Sequence, residues 1–346
     1  MSAASVGRGL RDPRNMHWSV PLLIFSFLLS FTTVFYHFST PETIAVKKAE
    51  NAQARESYWG AVDSDFDWCV ASRHNTYVCL FSSSLIPQRV AVRCEYNNVY
   101  TKYVSEPFNT VTSGAYPLGA AYAWHMHHRL SLSSWHKLML LVTMVMGVGS
   151  MIFHGTMRYW AQLLDELPLY AMAVLAAAAL RQRASRSAGI QPYVATWAAF
   201  LAAVIIFSER SSSTHVLMRG VMTVTFSLAF VYIFTALAVA GDEADRLRGG
   251  NDGATLARLT VVSFVTAIVS WILDIVACRE LQALPLGLPY PQLHAFGWHF
   301  GTTLGLLQLF CLMLLHQHCV RDGLEATVTF MAGGLIPRVV ATAHQP

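Results

Sequence analysis

Eight apolar stretches, at about 18–38, 108–126, 135–155, 162–180, 190–208, 214–240, 255–277 and 294–317, constrain this chain more than any other feature. A helix needs about 20 mostly apolar residues to cross a hydrocarbon core of about 30 Å, and each stretch is of that order. Composition agrees: 54% of the residues are hydrophobic and 13% charged, against the roughly 25% charged of an average soluble domain. The predicted fold class is an all-α membrane protein, a seven-transmembrane helix bundle preceded by one extra N-terminal apolar helix.

The net charge of +4 comes largely from short basic loops such as the one carrying Arg181, Arg183 and Arg186. With no basic face and no interleaved aromatics, a nucleic-acid partner is not expected. Six scattered cysteines without a CxxC pair indicate neither a zinc ribbon nor a redox motif.

Lys and Arg gather in short cytoplasmic loops. The loops after spans one, three and five of the bundle carry Arg129 and Lys137, then Arg181, Arg183 and Arg186, then Arg246, Arg248 and Arg258; those after spans two, four and six carry Arg158, Arg210 and Arg279. This predicts residues 40–106 on the lumenal side and a cytosolic C-terminus. Segment 18–38 follows Arg8, Arg11 and Arg14 and is either an uncleaved signal anchor or a cleaved signal peptide, its apolar run exceeding the usual 7–15 residues of the latter.

Ionisable groups inside spans are costly and mark function by default. Here Ser150 and His154 lie four residues apart at the lumenal end of span two, on one helical face. Asp165 and Glu166 open span three, and His294 and His299 open span seven. Loop charges place all of them on one side. Three imidazoles are the ligand set of a catalytic zinc, and a nearby carboxylate is the usual base for its water. Single interfacial histidines are ordinarily satisfied polar tips, the class to which His127, His128, His136, His316 and His318 are assigned.

These residues sit within a longer pattern. YWGAVDSDFDWC at 58–69, CEYNNVYTKYVSEPFNTVTS at 94–113, GVGSMIFHGTMRYWAQLLDELP at 147–168, WILDIVACREL at 271–281 and LHAFGWH at 293–299 together resemble the alkaline ceramidases, seven-span membrane amidases of the endoplasmic reticulum and Golgi. The resemblance implies zinc on His154, His294 and His299, with Asp165 activating water and Ser150 assisting at the substrate carbonyl. It also implies a calcium site built from Asp67, the carbonyl of Trp68, Glu95, Asn97 and Glu106, an oxygen-rich set of the kind calcium takes. The implied substrate is a ceramide-type lipid drawn from the surrounding membrane.

The expected organisation is an N-terminal tail and apolar segment over 1–57, a lumenal segment over 58–106, a catalytic bundle over 107–318 and a cytosolic tail over 319–346. Two alternatives stay open: a hydrolase of another lipid of the GPI-remodelling type, and a zinc-containing receptor of the adiponectin and progestin receptor type. A transporter ranks lowest, for want of paired broken helices around a midplane site.

Two features depart from the family pattern. Residues 70–94 interrupt what would read DWCEYNNVY, as either a lumenal loop or translated intron sequence. His294 and His299 are five apart where the family has HxxxH. At about 100° per residue, five positions put two side chains about 140° apart. Either a one-residue π-bulge absorbs the extra position, with Gly297 supplying backbone freedom, or His294 precedes the helix. Cys69, Cys79, Cys94 and Cys278 share the predicted lumenal side, where Cys278 bridged to Cys69 or Cys94 would persist.

Overall fold

The computed structural model describes residues 57–60, 64, 69–71, 77–79, 103–181, 199, 202–203, 206, 213–277, 280–281, 284–287, 291–331 and 334–341. Its helices are α1 (Pro107–Thr112), α2 (Ala115–His127), α3 (Ser134–Thr156), α4 (Tyr159–Arg181), α5 (Ser213–Arg248), α6 (Asp252–Val276) and α7 (Phe300–His316). Two π-helices, Leu293–His299 and Gln317–Arg321, flank α7. Strands β1 (Cys69–Ala71) and β2 (Tyr77–Cys79) form one antiparallel pair, β3 (Ala326–Met331) and β4 (Ile336–Ala341) another.

Among the described residues, five stretches are long and apolar enough to span a bilayer: Ser134–Thr156, Tyr159–Leu180, Val224–Leu247, Asp252–Asp274 and Leu293–Arg321. The protein is thus a mostly helical membrane protein. Segment 18–38 lies outside the described residues, and so does most of 190–208.

The stretch expected as one span over 108–126 is broken into α1 and α2. Pro117 is the reason. It has no N–H to give to the carbonyl of Ser113 one turn earlier, so that carbonyl accepts from Tyr116 N at 3.2 Å instead. On the N-terminal side of this tightened turn at Ser113 and Gly114, the residues leading into α1 meet the end of α3. There Ser105 N donates to Gly155 O and Glu106 N to His154 O, both at 2.9 Å. These bonds satisfy carbonyls that the last turn of a helix leaves without partners.

Small residues let the helices approach closely, as membrane helices require for want of a hydrophobic drive between them. A Cβ on Gly147 would meet Pro117 Cδ at 2.3 Å, and one on Gly149 would meet Leu164 O at 2.1 Å. Neighbouring glycines thus fit α3 against α2 on one side and α4 on the other. Gly241 and Gly253 bring α5 against α6 in the same way. There the Asp245 carboxylate accepts from Gly253 N and Ala254 N, each at 2.8 Å, capping α6. Phe230, Leu237, Leu256, Phe264, Leu309 and Leu312 fill the core.

Within 319–346, expected as a cytosolic tail, the chain forms the hairpin of β3 and β4. Strands β3 and β4 pack onto the end of the bundle opposite Ser150 and His154, burying Ala326 and Val339 in the core. Side chains from the helices meet the hairpin's backbone: Val339 N donates to His127 Nε2 at 3.0 Å, Gln308 Nε2 to Leu335 O at 3.0 Å and Val328 N to Asp252 Oδ2 at 3.1 Å. His127, expected as an interfacial polar tip, is instead wholly buried, with Ala123 O and Val339 N as partners. His316 meets Glu243 at 2.8 Å and His318 meets Leu314 O at 3.1 Å.

Candidate metal centre

Ser150 and His154 project from the last two turns of α3, both buried. Across from them the chain enters α7 through the π-helix Leu293–His299, in which His294 and His299 are buried. The i→i+5 bonding of a π-turn widens the helix, and the extra residue between the two histidines is absorbed there. His154, His294 and His299 consequently offer ligand atoms that all lie within 4.8 Å of one another. Their ring centroids form a nearly even triangle, with separations of 5.3, 5.3 and 5.1 Å.

Gly297 serves this arrangement by size, which revises the expectation of backbone freedom. Its φ is not in the left-handed region. An added Cβ would lie 2.3 Å from both Cβ and Oγ of Ser270, so glycine is what lets the π-turn seat against α6. Asp274 of α6, only 2% exposed, accepts from His294 N at 3.1 Å and fixes where that turn begins.

The donor set suits a metal. His154 Nδ1 lies 2.6 Å from Glu106 Oε2, so the carboxylate accepts from Nδ1–H and leaves the lone pair on Nε2. His299 Nδ1 lies 2.8 Å from Thr112 Oγ1, and its Nε2 lies 3.5 Å from Ser113 Oγ. Metal-ligating histidines characteristically donate their second N–H to an acceptor of this kind. Nitrogen donors in a buried triangle fit Zn²⁺ with a position open for water or substrate.

Ser150 Oγ lies 3.0 Å from Ser113 Oγ, and Ser113 donates its own hydrogen to Asn109 O at 2.7 Å. Asp165 is half-buried on α4, and its backbone N is 3.0 Å from where a Gly149 Cβ would stand, one residue from Ser150. It is also near enough to act electrostatically on Tyr116, whose ring meets the His299 ring edge-on at 5.8 Å. The structure therefore brings Ser150, His154, Asp165, His294 and His299 to one end of the bundle. Glu166, also buried, accepts from Gln162 at 2.7 Å.

Glu106, expected among calcium ligands, has its Oε2 shared between His154 and Asn109 Nδ2, the latter at 3.1 Å. Asp67, Trp68, Glu95 and Asn97 lie outside the described residues, as do Cys94 and Cys278. Thr112, Ser113 and Tyr116 were missed by the sequence reading. A signal existed: Glu106, Asn109 and Ser113 recur at helical spacing as a polar stripe in an apolar segment.

A cavity of about 430 Å³ between α3, α4 and α5 is lined by apolar side chains including Leu141, Val145, Leu163, Leu167 and Phe226. Its wall residues Leu163 and Leu164 directly precede Asp165.

The chain is 31% identical to the alkaline ceramidase YPC1 of Saccharomyces cerevisiae over 231 residues, covering 62% of this chain and 72% of that protein. It is 25% identical to alkaline ceramidase 3 of Mus musculus over 260 residues, 72% of this chain and 83% of the mouse protein. A putative alkaline ceramidase of Dictyostelium discoideum, dcd3A, is 23% identical over 265 residues, 66% of this chain and 88% of its own. The family profile described as Ceramidase matches residues 93–340, a span that includes both helices carrying the three histidines, and on that match the chain belongs to the ceramidase family.

Proposed function

We propose that this protein hydrolyses the N-acyl amide of ceramide, releasing a sphingoid base and a free fatty acid. The observation that carries the reading is the buried His154–His294–His299 triangle, set beside Ser150 and Asp165 in a chain whose relatives are named alkaline ceramidases.

His154, His294 and His299 would hold zinc, which when bound lowers the pKa of a water to about 7 and polarises a carbonyl. Asp165 takes the proton of the attacking water and passes it to the departing sphingoid amine. Ser150 turns its hydroxyl from Ser113 to the developing oxyanion, a contact typically worth about 10²–10³ in rate. Glu106 keeps His154 in the tautomer that presents Nε2. The apolar cavity beside α4 supports the reading, since a substrate with two hydrocarbon chains needs a non-aqueous approach.

The wider proposal retains seven spans, an extra N-terminal apolar segment and residence in the endoplasmic reticulum or Golgi. It places the metal end in the lumen and the C-terminus in the cytosol. An epitope tag after Pro346 should then bind antibody before internal membranes are opened; protection there would overturn the orientation. Calcium held by Asp67, Trp68, Glu95, Asn97 and Glu106 is also part of the proposal. Calcium chelation should lower activity without removing zinc, and no change on chelation would remove calcium from it.

The deciding experiment is lipid analysis of membranes expressing the protein, incubated with ceramide, dihydroceramide and phytoceramide. Release of fatty acid and sphingoid base is expected, abolished by His154→Ala and by metal removal, and restored to the stripped wild type by zinc. Undiminished release from a metal-free preparation would overturn the mechanism.

A further inference from the structure

Helix α1 spans six residues, yet residues at its two ends reach two of the three histidines. Glu106, just before it, meets His154, and Thr112, its last residue, meets His299. The second contact involves a residue that neither ligates nor belongs to the Ser150–Asp165 pair. Thr112 is 6% exposed. Its hydroxyl donates to Phe108 O, one turn back, at 2.8 Å.

A threonine hydroxyl has one hydrogen and two lone pairs. With that hydrogen directed along the helix, the oxygen is left to accept from His299. Nδ1 of His299 then carries the ring proton, and Nε2 carries the lone pair toward His154 and His294. We infer that Thr112 is a positioning residue that sets the tautomer and ring orientation of His299 for metal binding. The inference rests on the metal reading given above and extends it to a neutral hydroxyl.

The role predicts a specific dependence. Threonine and valine have nearly the same shape, so Thr112→Val removes the acceptor while filling the same space. His299 is then free to rotate or to place its proton on Nε2, and either change removes a ligand for part of the time. Loss of such a supporting partner typically weakens metal affinity about 10–100-fold. Thr112→Ser keeps the oxygen and should restore affinity. Thr110 offers a control within α1, because its hydroxyl also bonds one turn back, to Glu106 O at 2.7 Å.

The test uses the purified full-length protein and competition with a zinc chelator, together with the unfolding midpoint of each metal-free variant. Zinc affinity should fall about 10–100-fold in Thr112→Val and in the smaller Thr112→Ala, and stay close to wild type in Thr112→Ser and Thr110→Val. The metal-free Thr112→Val protein should still unfold cooperatively, with a midpoint no lower than that of Thr112→Ala, since both leave His299 Nδ1 without its partner. Equal affinity in Thr112→Val and wild type would overturn the inference. So would a loss in Thr112→Ser as large as in Thr112→Val, which would show that the oxygen is not what matters. A wild-type protein that holds no zinc would instead overturn the metal reading itself.

Discussion

Glu106 precedes His154 by 48 positions, yet the two side chains meet at 2.6 Å in a fully buried pair. A carboxylate acceptor raises the basicity of a ligating imidazole and fixes its tautomer. Glu106→Gln keeps an acceptor but removes the charge. Zinc affinity should fall by about 10–100-fold, measured by chelator competition with calcium absent; unchanged affinity would confine Glu106 to another role. The three histidines, Ser150 and Asp165 could be read from the sequence because polar groups inside spans are costly. The contact of Glu106 with His154 could not. It depends on Ser105 and Glu106 pairing with the last carbonyls of α3, and no periodicity reports that pairing.

The helices followed from apolar length: four described spans fall close to the expected boundaries, and Val224–Leu247 lies toward the C-terminal side of the expected 214–240. The break between α1 and α2 was missed because Pro117 sits in a continuously apolar stretch. Composition sees length, whereas the missing N–H is a single-atom effect. The π-helix before α7 was legible as a conflict between spacing and geometry, but its seat against Ser270 was not. Close approach has its own test at Gly149. Glycine to alanine there would push Leu164 O and the start of α4 away from α3, at a cost of about 1–3 kcal/mol. Because Ser150 and Asp165 flank that crossing, displacement by about 1 Å should also lower ceramide turnover by about 10²-fold. Unfolding midpoints in detergent and turnover on the same preparation check both effects; a variant with wild-type values in each would show that the crossing yields freely.

At the scale of the molecule, the gathering of three histidines at one end was legible in the sequence, and the hairpin at the opposite end was not. Residues 319–346 lack a span and were read as a tail, since a short amphipathic hairpin gives only a weak signal beside strong apolar runs. Its placement has a consequence for synthesis. Gln308 and His127 are wholly buried in the bundle, but their partners Leu335 and Val339 emerge from the ribosome only after α7. Until then Gln308 keeps Ser263 and His127 keeps Ala123 O, but the Nε2 atom of each lacks its hairpin partner, at about 1–3 kcal/mol each. A chain ending at Asp322 should therefore insert its spans, show a lowered unfolding midpoint and turn over faster in cells than the full chain, as pulse-chase would measure; equal half-lives would oppose this. A chain cut short before the hairpin by a premature stop codon would, by the same bonds, leave the bundle without the partners that Leu335 and Val339 supply.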